Sequence, residues 1–186
     1  KGSVTVVDLD KSEAQTVTFE DLNREKMIAD GVLLKKDASP AEDLEPEYIA
    51  VSADSKTAYV TLQENNAVAA LDLTNDSWVY VKGLGFKDHS ASGNGLDLDV
   101  DGAVAIRNES VYGVYMPDGI ACATINGKVY LLTANEGDAR EWGDYKNIAS
   151  GKLPLSDGAT AEKKIEYLKT DATDGLEEGK TYLLGG

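Results

Sequence analysis

Three carboxylates on alternate residues stand directly before a glycine near the middle of the chain. Asp97, Asp99 and Asp101 have the spacing with which a tight loop directs several oxygens at one hard cation, and Gly102 would take the sharp bend. An EF-hand needs Glu at the twelfth position of its loop, which here is Asn108. The segment therefore predicts either a calcium loop of another type or a solvated acidic turn.

A second group of polar side chains follows an apolar run that ends at Thr133. Asn135, Glu136 and Asp138 carry the oxygen ligands that calcium prefers. Arg140, two residues later, has the fork geometry that holds a carboxylate or phosphate through two parallel hydrogen bonds. We predict a second candidate metal site here with an anion-binding arginine beside it. The alternative is a loop whose charges pair with one another.

His89 and Arg107 join Arg140 as candidate ligand-binding residues. His89 is the only histidine, and no serine has the surroundings of an activated nucleophile, so a Ser–His–acid triad is not expected. The alternative for His89 is an imidazole that faces solvent or is bonded within the structure. The two arginines would bind a small anionic ligand, or else they neutralise an acidic chain locally.

The composition limits which classes of molecule the chain can bind. The 186 residues carry a formal net charge of -15, which repels nucleic acid and favours cations as counter-species. Hydrophobic residues make up 42% of the chain, enough for a packed core. The single cysteine, Cys122, excludes an internal disulfide, and no apolar run is long enough to span a membrane.

Short alternating apolar segments recur along the chain and must position these side chains. The segment 3–9 matches 67–73, since both end in Asp-Leu before a polar turn, and 46–50 matches 117–121. Recurrence of a sheet-sized unit predicts an all-β chain, a segment of a β-propeller with antiparallel four-stranded blades that is incomplete at the N-terminus. The alternative is a self-contained β-sandwich.

The repeats divide the chain into five parts. They are a half blade at 1–19, a linker or short helix at 20–46, a complete blade at 47–84, an acidic insertion at 85–111, and a further blade with a long loop at 112–186. Because inward positions alternate along a strand, the complete blade has a predictable core. The predicted core residues are Ile49, Val51, Ala58, Val60, Val68, Ala70, Leu71 and Val79.

The N-terminal strands, predicted at Val4–Leu9 and Gln15–Phe19, lack their neighbours in this scheme. An unpaired strand edge is adhesive when exposed. We expect the edge to be covered by the segment Phe19–Leu34, by a C-terminal strand at Thr181–Leu184, or by a second copy of the chain. The last route predicts a homodimer through an open sheet edge.

Several motifs together resemble a known family. The segments 48–54 and 57–61 resemble the YVTN-type propeller repeat. The wider set resembles the bacterial choice-of-anchor I family, whose members are often labelled alkaline-phosphatase-like or mesenchyme-specific cell surface glycoprotein-like. The resemblance covers most of the chain and is strongest over about residues 40 to 145. Its motifs are Asp43-Leu44-Glu45-Pro46-Glu47-Tyr48, Leu62-Gln63-Glu64-Asn65-Asn66, Gly85-Phe86-Lys87-Asp88-His89-Ser90, Tyr115-Met116-Pro117-Asp118 and Thr133-Ala134-Asn135-Glu136-Gly137-Asp138-Ala139-Arg140.

The resemblance implies a secreted or cell-surface anchored protein whose signal and anchor lie outside this segment. Two functions follow as hypotheses. The first is a non-catalytic binding or scaffold module that contacts an unknown protein or a small anionic ligand. The second is a calcium-dependent phosphoester hydrolase of the propeller type, in which calcium would bind phosphate and activate water. The first needs nothing that the sequence lacks.

Overall fold

The computed structural model describes residues 1–99, 101–161 and 165–185, in which most regular structure is β-strand. Two short α-helices and one 3-10 turn complete the regular structure there. The all-β class predicted from the alternating pattern is confirmed. Among the described residues, no helix has the length and apolar character needed to cross a membrane.

A two-stranded antiparallel hairpin opens the chain. Its closing turn is held by the Asp8 carboxylate, which accepts hydrogen bonds from the backbone N–H groups of Asp10 and Lys11 at 3.0 Å each. Val4 pairs with Val17, and both are buried. The strands are β1 (Ser3–Asp8) and β2 (Glu13–Thr18).

Two helical turns separate this hairpin from the next sheet. The first helix is capped by Asn23, whose side chain accepts the Lys26 N–H at 2.7 Å. The second begins at a capping box, in which the Glu42 carboxylate accepts the Ser39 N–H at 3.2 Å. Both helices lie within the segment 20–46, which was predicted as a linker or short helix. The elements are α1 (Arg24–Ala29), β3 (Leu34–Lys35) and α2 (Pro40–Asp43).

The main sheet has four antiparallel strands that neighbour one another in chain order. Three turns join them, and the middle one is the 3-10 turn Gln63–Asn65. The sheet covers the segment in which four strands were predicted. Its strands are β4 (Pro46–Val51), β5 (Thr57–Leu62), β6 (Ala67–Asp72) and β7 (Ser77–Gly83).

One face of the main sheet, here the first face, packs against the N-terminal hairpin and the helical segment. Phe19 stacks on Trp78 with ring centroids 4.6 Å apart, and the Trp78 Nε1–H donates to the Thr18 carbonyl at 2.8 Å. The strand side chains buried on this face are Ala58, Val60, Leu62, Ala67, Ala69, Leu71 and Val81. The second face carries the alternate residues, among them Tyr59 and Thr61.

The predicted core of the main sheet is correct in part. Five of its residues are buried, namely Ala58, Val60, Val68, Ala70 and Leu71. Three assignments are wrong, because Ile49, Val51 and Val79 are 47%, 48% and 61% exposed.

Two physical causes explain these errors. A β-bulge shifts the register between β6 and β7, so that Leu71 pairs with Trp78 while Ala70 pairs with Tyr80. The residue between them, Val79, has no partner and turns outward, and Trp78 takes the inward position. Ile49 and Val51 point to the first face, but their strand β4 lies at the sheet edge, beyond the reach of the N-terminal hairpin.

A second hairpin packs on the second face of the main sheet. The Thr61 Oγ1 donates to the Asp118 carbonyl at 2.8 Å across this contact. The hairpin strands carry the same irregularity as β4 and β5, a register shift three residues after a proline, between Pro117 and Ile120 here and between Pro46 and Ile49 there. The preceding short strands are β8 (Lys87–Asp88) and β9 (Tyr112–Gly113), and the hairpin is β10 (Pro117–Ile125) and β11 (Lys128–Asn135).

The rest of the described chain forms short strands. Five of them build a sheet in the order β14-β17-β19-β9-β8, in which β19 runs parallel to β9. The predicted C-terminal strand therefore exists, but it pairs with β17 and β9 and does not cover β1. The strands are β12 (Glu141–Trp142), β13 (Tyr145–Lys146), β14 (Ile148–Ser150), β15 (Leu153–Pro154), β16 (Thr160–Ala161), β17 (Glu166–Leu168), β18 (Thr173–Asp174) and β19 (Tyr182–Leu183).

Candidate functional site

The carboxylates of the predicted calcium loop bind groups of the protein itself. Asp97 accepts the backbone N–H groups of Asp99 and Ala105, and Asp101 accepts that of Ala103. Asp99 forms an ion pair with Arg107 at 2.7 Å. These contacts hold a tight acidic turn.

The second predicted metal site lies where β11 ends. The Asn135 Oδ1 accepts from the Thr133 hydroxyl at 3.0 Å, and the Asp138 carboxylate accepts the Ala139 N–H at 2.8 Å. Glu136 points elsewhere, toward the 3-10 turn of the main sheet, where it accepts the Gln63 Nε2–H at 3.1 Å. Calcium binding at either predicted loop stays a prediction.

His89 is buried and bonded within the acidic insertion. Its Nδ1 lies 2.6 Å from the Asn94 carbonyl, and because a carbonyl only accepts, this nitrogen carries the proton. The ring's Nε2 faces Gly113, where a Cβ would come within 2.9 Å of it. These contacts agree with an imidazole that is hydrogen-bonded within the structure and not with one that faces solvent.

Arg107 joins the acidic insertion to a later loop. Its guanidinium pairs with Asp99 at 2.7 Å, with Glu109 at 3.3 Å and with Asp157 at 2.9 Å. Glu109 is buried, and its other oxygen accepts the Ser156 N–H at 2.8 Å. The side chain is thus the centre of an ion-pair network, and the hydrogen bond to Asp99 raises the pKa of Arg107 above its ordinary value.

Arg140 forms a buried ion pair with Asp43. The Nη1 lies 2.9 Å from the Asp43 Oδ1, and only 1% and 2% of the two side chains are exposed. The other carboxylate oxygen accepts the Lys35 N–H at 2.8 Å and the Asn65 Nδ2–H at 3.1 Å. Burial raises the pKa of Asp43 above its ordinary value, and the charge of Arg140 partly offsets this effect.

The 3-10 turn between β5 and β6 connects these groups. The Asn65 side chain donates to the Leu33 carbonyl at 2.8 Å as well as to Asp43. Asn66 adopts a left-handed conformation, and its side-chain oxygen accepts the backbone N–H groups of Tyr115 and Met116 at 3.0 and 3.1 Å. Two adjacent amides therefore bind the segment before β4 and the segment before β10 to one turn of the main sheet.

The carboxylates of Glu45, Glu47 and Glu64 converge beside this turn, and we call them the glutamate cluster. One oxygen of each lies within 4.8 Å of the others, and no other three His, Cys, Asp or Glu side chains among the described residues converge in this way. Burial is the main cause that raises the pKa of Glu64, and the charges of Glu45 and Glu47 raise it further. Burial also raises the pKa of Glu47. The Arg140 Nε lies 3.7 Å from Glu45 and is the nearest compensating charge that the structure shows.

Sequence reasoning missed the glutamate cluster, although part of its signal is visible. Glu45 and Glu47 have the two-residue spacing that places side chains on one side of an extended segment. Glu64 follows β5, which pairs with β4 through Leu62 and Pro46. The antiparallel pairing of two predicted strands therefore brings the three together. For Asp43, by contrast, nothing in the sequence indicated a functional or buried role beyond its place in a family motif.

An open groove of about 730 Å³ lies beside the end of β11. Leucine and isoleucine side chains line it together with three carboxylates, those of Glu136, Asp138 and Glu166. Two of these were predicted metal ligands, but their oxygens do not converge as those of the glutamate cluster do. The groove is an acidic surface feature that contains two of the predicted metal ligands, and calcium binding by them stays a prediction.

Comparison with known proteins gives one family. No curated protein and no solved structure matches the chain. The sequence profile described as the choice-of-anchor I domain matches residues 1–180, which is nearly the whole chain. The chain belongs to the choice-of-anchor I family.

Proposed function

We propose that this chain is a sector of a β-propeller that serves as a non-catalytic binding or scaffold module at the cell surface. Membership of the choice-of-anchor I family suggests a cell-surface module and agrees with a non-catalytic role. The observation that carries the proposal is the stacking of three strand groups, in which one hairpin covers each face of the main sheet.

The stacking has the form expected of consecutive blades. The hairpin β1–β2 resembles β6–β7 in sequence and lies on the first face of the main sheet. The hairpin β10–β11 shares the β-bulge of β4–β5 and lies on the second face. In a propeller, each face of a blade packs against a neighbouring blade. Here one neighbour would be represented by its last two strands, β1–β2, and the other by its first two, β10–β11.

The non-catalytic role is supported by the contacts of the candidate ligand-binding side chains. His89 is bonded to a backbone carbonyl, Arg107 binds three carboxylates, and Arg140 is buried against Asp43. Catalysis of phosphoester hydrolysis would need cations that are free to contact the substrate. In this chain Arg107 and Arg140 bind carboxylates of the fold instead.

A calcium-dependent phosphoester hydrolase is the second candidate, and the glutamate cluster is where we would place its cation. Calcium takes six to eight oxygen ligands, often carboxylates, and three converge here at the end of the main sheet. A cation bound by Glu45, Glu47 and Glu64 would also relieve their mutual repulsion. The calcium loops predicted at Asp97–Asp101 and Asn135–Asp138 remain proposals beside this one.

A phosphatase assay separates the two functions. The wild-type chain is incubated with p-nitrophenyl phosphate at millimolar calcium and, in parallel, with an excess of chelator. We expect no release of nitrophenol above the buffer rate in either condition. Calcium-dependent hydrolysis that is lost in Glu64→Gln but kept in Glu13→Gln, an exposed carboxylate on β2, would overturn the non-catalytic role. Calorimetry on the same variants reports calcium binding independently of activity.

The cell-surface role has its own readout. Cells that produce the full-length protein are treated with an external protease that cannot enter them. Loss of the protein from intact cells supports surface exposure, whereas full protection until the cells are lysed contradicts it.

A further inference from the structure

Buried side-chain polar atoms that lack a hydrogen-bond partner in the protein gather at one place. Among the described residues, six carry such atoms. One of them, Asp76, lies in the turn between β6 and β7. The other five surround the buried ion pair of Asp43 and Arg140, and together with Asp43 we call them the polar junction. They are Glu64, Asn65, Arg140, Asn147 and Thr173.

Two members of the polar junction are connected to the Asp43 carboxylate. The Asn65 Nδ2–H donates to this carboxylate at 3.1 Å. Thr173 pairs with Lys35 in the sheet of β18 and β3, and the Lys35 N–H donates to the same carboxylate at 2.8 Å. The main sheet and β18 therefore meet at one buried side chain of the helical segment.

The remaining members lie around Arg140. The Asn147 N–H donates to the Arg140 carbonyl at 3.3 Å. On the other side, the Arg140 Nε lies 3.7 Å from the Glu45 Oε1 of the glutamate cluster, to which Glu64 also belongs. The polar junction thus joins four separate segments of the chain.

The unpaired atoms are shielded from bulk solvent. Asn65, Asn147 and Thr173 are 0%, 1% and 2% exposed, and Arg140 is 2% exposed. Buried polar groups of native proteins are nearly always paired, either with the protein or with ordered water, because an unpaired group keeps the full cost of leaving water. Five such residues around one ion pair therefore indicate a partner that is not part of the chain.

The hydrogen-bonding character of these atoms indicates which partner fits. The Arg140 Nε only donates, whereas the Glu64 carboxylate and the Asn65 Oδ1 only accept. The orientation of the Asn65 amide follows from its contacts, since its Nδ2 donates to the Leu33 carbonyl and to Asp43. A metal ion binds acceptors alone and is repelled by the guanidinium. A water molecule serves both kinds of group, because it donates twice and accepts twice.

We propose that the polar junction binds ordered water molecules, one of which bridges the Arg140 Nε to the glutamate cluster. The 3.7 Å between Nε and the Glu45 Oε1 is too long for a direct hydrogen bond, but one water can contact both atoms. This water accepts from Nε and donates to Glu45 and Glu64. Further waters pair with Asn147 and Thr173. The inference goes beyond the proposed function and does not depend on catalysis.

Diffraction at a resolution that shows single waters tests the proposal. Crystals of the wild-type chain are grown in parallel with millimolar calcium and with an excess of chelator. We expect the same density beside the Arg140 Nε in both, with about three partners at about 2.7–3.2 Å. Density that appears only with calcium, with about six to eight oxygen ligands at about 2.3–2.6 Å, would identify a cation and overturn the proposal. Density at none of the unpaired atoms would overturn it as well.

Thr173→Val gives an independent test in solution, because valine keeps the shape of the side chain and removes the hydroxyl. If the hydroxyl binds water, its loss costs a hydrogen bond, and the urea midpoint should fall by about 0.5 M. If the hydroxyl is truly unpaired, its removal should raise the midpoint. Thr124→Val is the matched control, since Thr124 is exposed on β10 and reports the effect of the exchange on strand formation alone. A midpoint for Thr173→Val equal to or above that of Thr124→Val would refute the proposal at this residue.

Discussion

Replacing Arg140 by methionine should destabilise the fold strongly at neutral pH. The substitution keeps the apolar part of the side chain and removes the charge that faces Asp43 at 2.9 Å. Asp43 would keep its hydrogen bonds from Lys35 and Asn65 but would remain a buried carboxylate without a counter-charge. The decrease in the free energy of unfolding therefore measures the cost of an uncompensated buried charge and not the net contribution of the ion pair.

The burial of both partners sets the magnitude. Breaking a buried ion pair from one side costs about 3–5 kcal/mol, whereas an exposed pair contributes about 0–1 kcal/mol. Asp43 and Arg140 are 2% and 1% exposed, so the first range applies. A domain with a stability of about 5–15 kcal/mol would survive the loss in weakened form. Arg140→Lys, which keeps the charge but not the planar fork, should lose less.

The penalty should also depend on pH. The pKa of Asp43 is raised in the folded state, so its contribution is fully favourable below the unfolded pKa and is lost as pH rises through the folded value. Removal of Arg140 raises that pKa further. The difference in the free energy of unfolding between wild type and variant should therefore be constant at neutral pH. It should shrink on acidification by about 1.4 kcal/mol for each pH unit below the pKa of Asp43 in the folded variant.

Urea unfolding at neutral and mildly acidic pH measures these differences. Lys26→Met is the control, because Lys26 is 71% exposed in its pair with Asp30 and its loss should change stability by less than about 0.5 kcal/mol. A penalty for Arg140→Met below about 1 kcal/mol would refute the account of the buried pair. A penalty that stays the same at both pH values would refute the role of the Asp43 charge.

The β-bulge in β7 makes two further predictions. Val81→Ala, in the buried core, should cost about 1–3 kcal/mol, while Val79→Ala, on the exposed bulge, should cost less than about 0.5 kcal/mol in the same urea experiment. Trp78→Ala should cost about 3–5 kcal/mol, because it removes the stacking on Phe19 and the hydrogen bond to Thr18. Equal losses at Val79 and Val81 would mean that β7 has a regular register.

Much of the fold could be predicted from the sequence, because alternation along short strands and its recurrence are local signals. They predict a four-stranded unit at 47–84, and the structure has four strands there, from β4 (Pro46–Val51) to β7 (Ser77–Gly83). The faces were less predictable. Trp78 and Val79 are both apolar, so the pattern alone does not show which of them points inward once a bulge shifts the register.

The candidate site was harder to predict, because it depends on contacts between distant segments. Arg140 was recognised as a potential anion-binding residue, but its partner Asp43 lies 97 positions earlier in the chain. No local pattern connects the two. The glutamate cluster was missed for a related reason, since Glu64 reaches Glu45 and Glu47 only through the pairing of β4 with β5.

The central claim, that strand groups stack on opposite faces of the main sheet as blades do, is tested most directly with the native Cys122. This residue is half-buried on β10, and β10 packs against β4 and β5 of the main sheet. Tyr59→Cys puts a second thiol on that face, and Ile49→Cys puts one on the exposed edge of the first face. With a short bis-maleimide, we expect Tyr59→Cys to cross-link to Cys122 within one chain and Ile49→Cys to leave it free. Cross-linking from Ile49→Cys and none from Tyr59→Cys would contradict the stacking.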